Sequence, residues 1–371
     1  MRIVVTGQVG MEKKAYLEAA AKLAGERGET IDLYHVGDRM YAEAPDVKPG
    51  RILDLPISRL HSLRRSAMKD IISESANQPN IIVNSHATFR WRHGLFPAFD
   101  FDQLRLLKPD ILVCLVDNIE VVHHRLHNEH TLDATLKDLM VWREEEIMAT
   151  ELAAQALGPQ TLFCIVARGR ENETLEGMVR LTCREGMKRV YPSFPMTHVV
   201  GLPEVQKEID GFREELAKHF ITFDPGDVDE KLLLDNAVEA AKAGQDFIDA
   251  VIYKNGHRET FPVPVRQILD IAGDIDGQIY MRDFKLIDQS DMIVSLVPEL
   301  PGGMPGLSSG VERELQHAFE HGKEVYVVWK PAKNPSPFIT ETATKVFRST
   351  TEALKHFEAE GMFVQHNLFG V

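Results

Sequence analysis

Cysteine is scarce: the 371 residues hold three, Cys114, Cys164 and Cys183, and no two have the C-x-x-C spacing of zinc or redox motifs. Two of them sit in apolar, strand-like runs, which predicts reduced core thiols and not disulfides. Long hydrophobic runs are missing as well. The best, "ILVCLV" at 111–116, is far shorter than the roughly 18 residues a membrane span needs, so no contact with a bilayer is expected. The opening "MRIVVTGQVG" lacks an apolar core followed by a small-residue cleavage site; no signal peptide is read there, and the cytoplasm is the expected location. Positive charge is outnumbered, 42 Lys and Arg against 56 Asp and Glu for a net −14, which argues against a nucleic-acid partner. Any anionic ligand must be held locally. No short-period repeat and no low-complexity segment is present.

What is present is alternation. In the first half, β-rich runs such as "RIVVTG", "IDLYHVG", "NIIVNSH" and "DILVCLVDN" are separated by amphipathic stretches, the pattern of a parallel α/β sheet. A long polar helical region spans 119–157, before the run "TLFCIVA" at 161–167. Around "MKRVYPSFPM" periodicity stops and two prolines intervene, so a linker is expected at 187–195. Alternation then resumes from "THVVG" to "EVYVVWKP". The length exceeds what one core accommodates comfortably, and the prediction is α/β with two doubly wound parallel-sheet domains, 1–186 and 196–371.

"TGQVGMEKKAY" lies between the first strand and the first helix, where a phosphate loop belongs. Gly7 and Lys13 match G-x-x-x-x-G-K-[ST], and Gly10 adds a second flexible position. Glu12 stands where the second glycine is expected, and Lys14 where a Mg²⁺-binding hydroxyl is expected. Gly7, Gly10, Lys13 and Lys14 are the candidate nucleotide-binding residues. With "IIVNSHATFRWRHGLFPAF" and "KPDILVCLVDNIEVVHHRLHNE", this half resembles the archaeal-type adenylate kinases and related nucleoside monophosphate kinases over about residues 1–185. The resemblance implies a P-loop domain with ATP as its ligand. It also implies an aspartate for Mg²⁺ where this chain has Asn84, and a carboxamide is a weaker Mg²⁺ ligand than a carboxylate. Three changes thus converge on one metal and phosphate site, and a degenerate kinase domain is expected. His123, His127 and His130 share one helix face and could bind a metal. A solvated, lid-like helix is the simpler reading, and no metal is assigned.

In the second half, "GLSSGVEREL" at 306–315 places a Gly/Ser turn before a helix carrying Glu312 and Glu314. Helix capping alone would account for it. A reactive carboxylate beside an anion cradle, formed by the amides and hydroxyls of Ser308, Ser309 and Gly310, is the sharper reading, and its natural ligand is a 5′-phosphate. The stretch "IYMRDFKLIDQSDMIVSLVPE" precedes it. Together these resemble the nucleoside 2-deoxyribosyltransferase family, including the 2′-deoxynucleoside 5′-phosphate N-hydrolases, over about 195–360. The resemblance implies Glu314 as nucleophile, Arg282 and Asp283 as the family's Arg-Asp pair, and Asp291 after Ser290 at a strand start. In it Asp283 helps the base leave or orients the sugar; no cofactor is needed and self-association is common. A helix N-terminus would hold the Glu314 pKa down. The leading expectation is cleavage or exchange of the N-glycosidic bond of a (deoxy)nucleoside monophosphate. Nucleoside monophosphate kinase activity through Lys13, and a non-catalytic nucleotide sensor or scaffold, remain open.

Overall fold

A computed structural model of the chain describes residues 1–91, 94–130, 134–169, 174–196, 199–254 and 257–363. It is α/β with two parallel-sheet cores, and the chain divides into two compact units. Unit one comprises Met1–Glu185 and Asp227–Gln278; unit two comprises Gly186–Gly226 and Ile279–Val371.

The sheet of unit one has the order Asp32–His35, Ile81–Asn84, Arg2–Thr6, Ile111–Val116, Leu162–Ala167, every neighbouring pair parallel. Its inner strands read as unbroken apolar runs because helices cover both faces; all six residues of Ile111–Val116 are buried. From the central strand Arg2–Thr6 the chain winds first to one side and then to the other. A crevice at the carboxyl ends of the strands results, and such crevices are where open α/β sheets take ligands. The region 119–157 is two helices, Ile119–His130 and Leu136–Leu157, and it corrects the solvated-lid expectation. Val121, Val122 and Leu126 are buried on the first helix, Leu139, Met140 and Trp142 on the second.

Unit one also takes in 227–278, which the sequence had placed in the second domain. This segment contributes the helix Glu230–Lys242 and an antiparallel hairpin, Phe247–Lys254 with His257–Pro264. It is fastened by a buried ion pair. Arg143 Nη1 and Nη2 lie 2.5 and 2.9 Å from the Glu230 carboxylate oxygens, and the Ile119 amide donates to the same carboxylate at 3.0 Å. His124 stacks on Phe261 with ring centroids 4.0 Å apart.

In unit two the order is Lys345–Phe347, Glu324–Trp329, Met292–Val297, Arg189–Ser193, Ile221–Thr222, again all parallel. Phe212, Phe220, Met292, Val294, Tyr326 and Phe357 form its core. The expected linker at 187–195 is therefore an inner strand. Pro192 is tolerated because the short neighbour Ile221–Thr222 pairs only with Arg189 and Val190, so the proline lies where one side of the strand has no ladder to complete. Of the expected opening strand "THVVG", Thr197 and His198 lie outside the described residues, and 199–201 form a turn. Among the described residues no helix is long and apolar enough to cross a membrane. All three cysteines are free thiols.

Candidate functional site

The loop after Arg2–Thr6 keeps a phosphate-loop backbone. Gly7 (φ 138°) and Gly10 (φ 87°) occupy conformations closed to side chains; a Cβ on Gly7 would lie 2.7 Å from the Leu115 carbonyl, and one on Gly10 2.7 Å from Leu126 Cγ. Glu12 completes the turn at φ 48°, a left-handed conformation that costs a non-glycine residue roughly 1–2 kcal/mol. Lys13 then opens the helix Lys13–Glu26. Its buried ammonium donates to the Gly7 carbonyl at 2.5 Å and lies 3.2 and 3.3 Å from the two His86 ring nitrogens. Burial lowers the Lys13 pKa to about 8, against the opposing charge of Glu146. Burial, then the Lys13 charge, holds His86 well below its ordinary value, so its ring is neutral and accepts.

Glu146, which the sequence reading missed, organises the loop from below. Its carboxylate, 1% exposed, accepts from the amides of Gly7 (2.9 Å), Ala87 (2.8 Å) and Thr88 (2.7 Å) and from the Thr88 hydroxyl (2.7 Å). No motif signals it; it is one acid of "REEEI" on a helix that reads as polar. Lys14 is not part of the cradle. It is exposed and paired with Asp38 at 2.6 Å, and this hydrogen bond raises its pKa. Asn84 gives its amide to His35 Nδ1 at 3.0 Å.

The Glu12 carboxylate joins a cluster that sequence reasoning also missed. Arg168 Nη2 lies 2.8 Å and Arg125 Nε 3.4 Å from its carboxylate, and both arginines face Asp117, at 2.8 Å for Arg125 and 3.7 Å for Arg168. This cluster borders a cavity of about 860 Å³ lined also by Tyr16, Asn118, Glu120, Asn236, Asp249 and Tyr253. Burial, then the charge of Glu230, pushes Glu120 up to about 8.

In unit two Glu314 lies in the second turn of the helix Ser309–Glu320. It accepts from the Tyr191 hydroxyl at 3.0 Å and the Ser193 hydroxyl at 2.6 Å, both on the strand Arg189–Ser193. Its pKa is raised, which corrects the expectation that the helix would lower it: burial outweighs the two hydroxyls, and the second turn is beyond the reach of the first-turn amides. Tyr191 is pushed well above its ordinary value by burial and then by the charge of Asp283, ahead of Glu314, so both carboxylates lie within electrostatic reach of one phenol. "RVYPS" carries both hydroxyls, but the prolines and lack of periodicity of "MKRVYPSFPM" give the sequence pattern of a linker and hide them.

Arg282 is buried. Asp291 is held by Arg189 through its backbone amide (2.8 Å) and guanidinium (2.6 Å). Burial raises the Asp291 pKa, and the hydrogen bonds and charge of Arg189 more than offset it, so the pKa is lowered. Ser308 is the N-cap, its Oγ accepting from the Val311 amide at 3.2 Å; Ser309 and Gly310 form the exposed first turn with Glu312. Ser308→Ala is expected to cost about 1 kcal/mol in denaturant unfolding. His123 and His127 stack with centroids 6.4 Å apart, while the side chain of His130 lies outside the described residues. Asp288, His317 and His321 bring one ligand atom each within 4.8 Å and could hold a metal at the surface of unit two.

Residues 6–143 match a family model described as an AAA domain. The adenylate kinases of Pyrococcus horikoshii, Pyrococcus abyssi and Pyrococcus furiosus are each 24% identical over 183 or 184 residues, 48% of this chain and 90% of each relative. Among solved structures, a shikimate kinase from Bacteroides thetaiotaomicron (13% identity, TM-score 0.32) covers 49% of this chain and 95% of its own. A gluconokinase from Sinorhizobium meliloti 1021 (18% identity, TM-score 0.30) covers 49% and 93%. The N-terminal region is a P-loop kinase-like domain.

Proposed function

We propose that unit one binds a nucleoside phosphate on the loop 7–13 as a kinase-type unit of nucleotide metabolism. The observation that carries this reading is the loop itself: three residues at positive φ deliver a buried lysine to a helix N-terminus, which is an anion seat by geometry. The adenylate kinase relatives give the ligand class, adenine nucleotides. A Mg²⁺-bound nucleotide does not fit these residues as they stand. At the two positions where the pattern places magnesium-handling groups, Lys14 is tied to Asp38 and Asn84 to His35, and Glu12, at the second-glycine position, is tied to arginines. Nucleotide binding is thus expected to be unchanged, within about twofold, when Mg²⁺ is removed with a chelator.

The test is incubation of the whole chain with a panel of nucleoside monophosphates, with and without ATP, followed by chromatography. Diphosphates support the kinase reading, free base the second reading below, and binding without product a sensor. Robust Mg²⁺-dependent diphosphate formation that is lost in Lys13→Ala would overturn the misfit with magnesium.

Lys13 also sets a pH dependence. Its folded pKa of about 8 is below the unfolded value, so the unfolded chain binds more protons between about 8 and 10.5. The stability cost of burying this ammonium is therefore present below pH 8 and relieved as pH rises through that window. Phosphate affinity moves the other way, because it needs the charged form. From pH 7 to pH 9 it is expected to fall about tenfold in calorimetric titrations, and this fall should be absent in Lys13→Met.

A second reading is favoured by one observation, the two hydroxyls that Tyr191 and Ser193 place on Glu314. In it unit two cleaves or exchanges the N-glycosidic bond of a (deoxy)nucleoside monophosphate. A Glu314 oxygen bonds to the anomeric carbon as the bond to the base breaks, and that electron pair leaves with the base, with Asp283 placed to assist its departure. Water or an acceptor base then opens the ester.

A further inference from the structure

The seat formed by Arg125 and Arg168 is filled by this chain's own carboxylate. Two guanidiniums face two carboxylates, Glu12 and Asp117, with N···O separations of 2.8 to 3.7 Å. Glu12 meets them from a left-handed backbone that a glycine would hold without strain. Behind the cluster, the cavity is lined by groups that lack what a ligand could give. Among the described residues, Asn118 Oδ1, Glu120 Oε2 and Arg168 Nε are buried without a hydrogen-bond partner, and Asn118 and Glu120 are at least nine-tenths buried. The far wall, with Asp249, Tyr253 and Glu259, comes from the hairpin of the 227–278 segment.

A second anion entering this cluster meets guanidiniums that are already neutralised, with further carboxylates nearby. An uncharged molecule bearing donors and acceptors meets two oxygens and two guanidinium N–H groups, Arg125 Nε and Arg168 Nε, that lack hydrogen-bond partners and whose burial is costly. Glu120, pushed up to about 8 by its surroundings, presents a neutral carboxyl at pH 7 that can donate as well as accept.

We propose that Glu12 is an internal counter-anion that occupies the Arg125–Arg168 seat and reserves the adjoining cavity for the uncharged, hydrogen-bonding body of a ligand such as a nucleoside. The ligand class rests on the nucleotide reading above; the occupied seat does not.

The experiment is calorimetric titration of the whole chain with two separate probes, adenosine and inorganic tripolyphosphate, at fixed salt and pH 7. Wild type is expected to bind adenosine more tightly than tripolyphosphate. In Glu12→Gln and in Glu12→Gly, tripolyphosphate affinity should rise at least tenfold while adenosine affinity stays within twofold. Adding Arg168→Met to either variant should cancel the gain, whereas adding Lys13→Met should leave it. Circular dichroism and melting curves establish that each variant is folded. A folded Glu12 variant without the gain, or a gain that survives Arg168→Met but not Lys13→Met, would each overturn the proposal, as would a wild type that binds adenosine but prefers tripolyphosphate. Tripolyphosphate gains as described with no adenosine binding in any variant would keep the seat and remove the nucleoside assignment, so the two failures are distinguishable.

Discussion

Replacing Arg143 with methionine is expected to lower the unfolding free energy of unit one by about 3–5 kcal/mol, read from denaturant midpoints. The guanidinium is 3% exposed and Glu230 0%, so the variant leaves a buried carboxylate facing a thioether. The loss reaches beyond the pair. Arg143 Nη1 also donates to the Asp117 carbonyl at 3.2 Å, and Nη2 to Gln278 Oε1 at 2.6 Å. Glu120, already raised by burial and by Glu230, loses a cation that holds its pKa down. Because the penalty is mostly the orphaned charge, Arg143→Met combined with Glu230→Leu should recover most of it; apolar replacements of whole buried pairs are often neutral or better. A double variant as unstable as the sum of the two singles would show the pair to be only two independent packing positions.

The Arg143 pair is invisible in the sequence, whereas much of the sheet around it is not. The sheet of unit one was legible because its strands are apolar runs between Gly, Asp and Asn, and the helices between them were legible from their amphipathic period. Arg143 and Glu146 were not, since "WREEEI" carries the composition of a solvated surface and nothing local says that two of its charges face inward. Their partners, Glu230 and the amides at Gly7, Ala87 and Thr88, are distant along the chain. The same distance hid the assignment of 227–278 to unit one. Glu12 is legible as a departure from the second glycine of the phosphate loop, but its ion pairs need Arg125 and Arg168, which only the fold brings to the loop. In unit two Glu314 is singled out in the sequence only through the resemblance that "SSGVEREL" carries. Tyr191 and Ser193 were lost to two prolines, because a proline in an inner strand is rare and the exemption given by a short neighbouring strand is a tertiary fact.

Glu314→Gln is expected to abolish base release from a nucleoside monophosphate, by at least about a thousandfold, if unit two acts through this carboxylate. The fold should survive, and the sign of the stability change is set by the raised pKa. A carboxylate whose folded pKa lies above its unfolded one binds more proton when folded, so wild type loses stability as pH rises from the ordinary carboxylate range through the folded value. Glutamine has no such loss, and the variant should be at least as stable as wild type at pH 7. Activity needs the ionised form and so falls on the acid side of the folded pKa. Tyr191→Phe removes a hydrogen bond that favours the ionised form, which should move this acid limb to higher pH with full activity regained above it. Glu312→Gln should do little, since Glu312 is exposed in the first turn and two residues place it roughly 200° around the helix from Glu314. Mass spectrometry of a quenched reaction should find the sugar esterified on Glu314. Full base release by Glu314→Gln would leave that carboxylate as a buried acceptor for two hydroxyls, and chemistry in this protein would then have to be sought at the loop of Lys13.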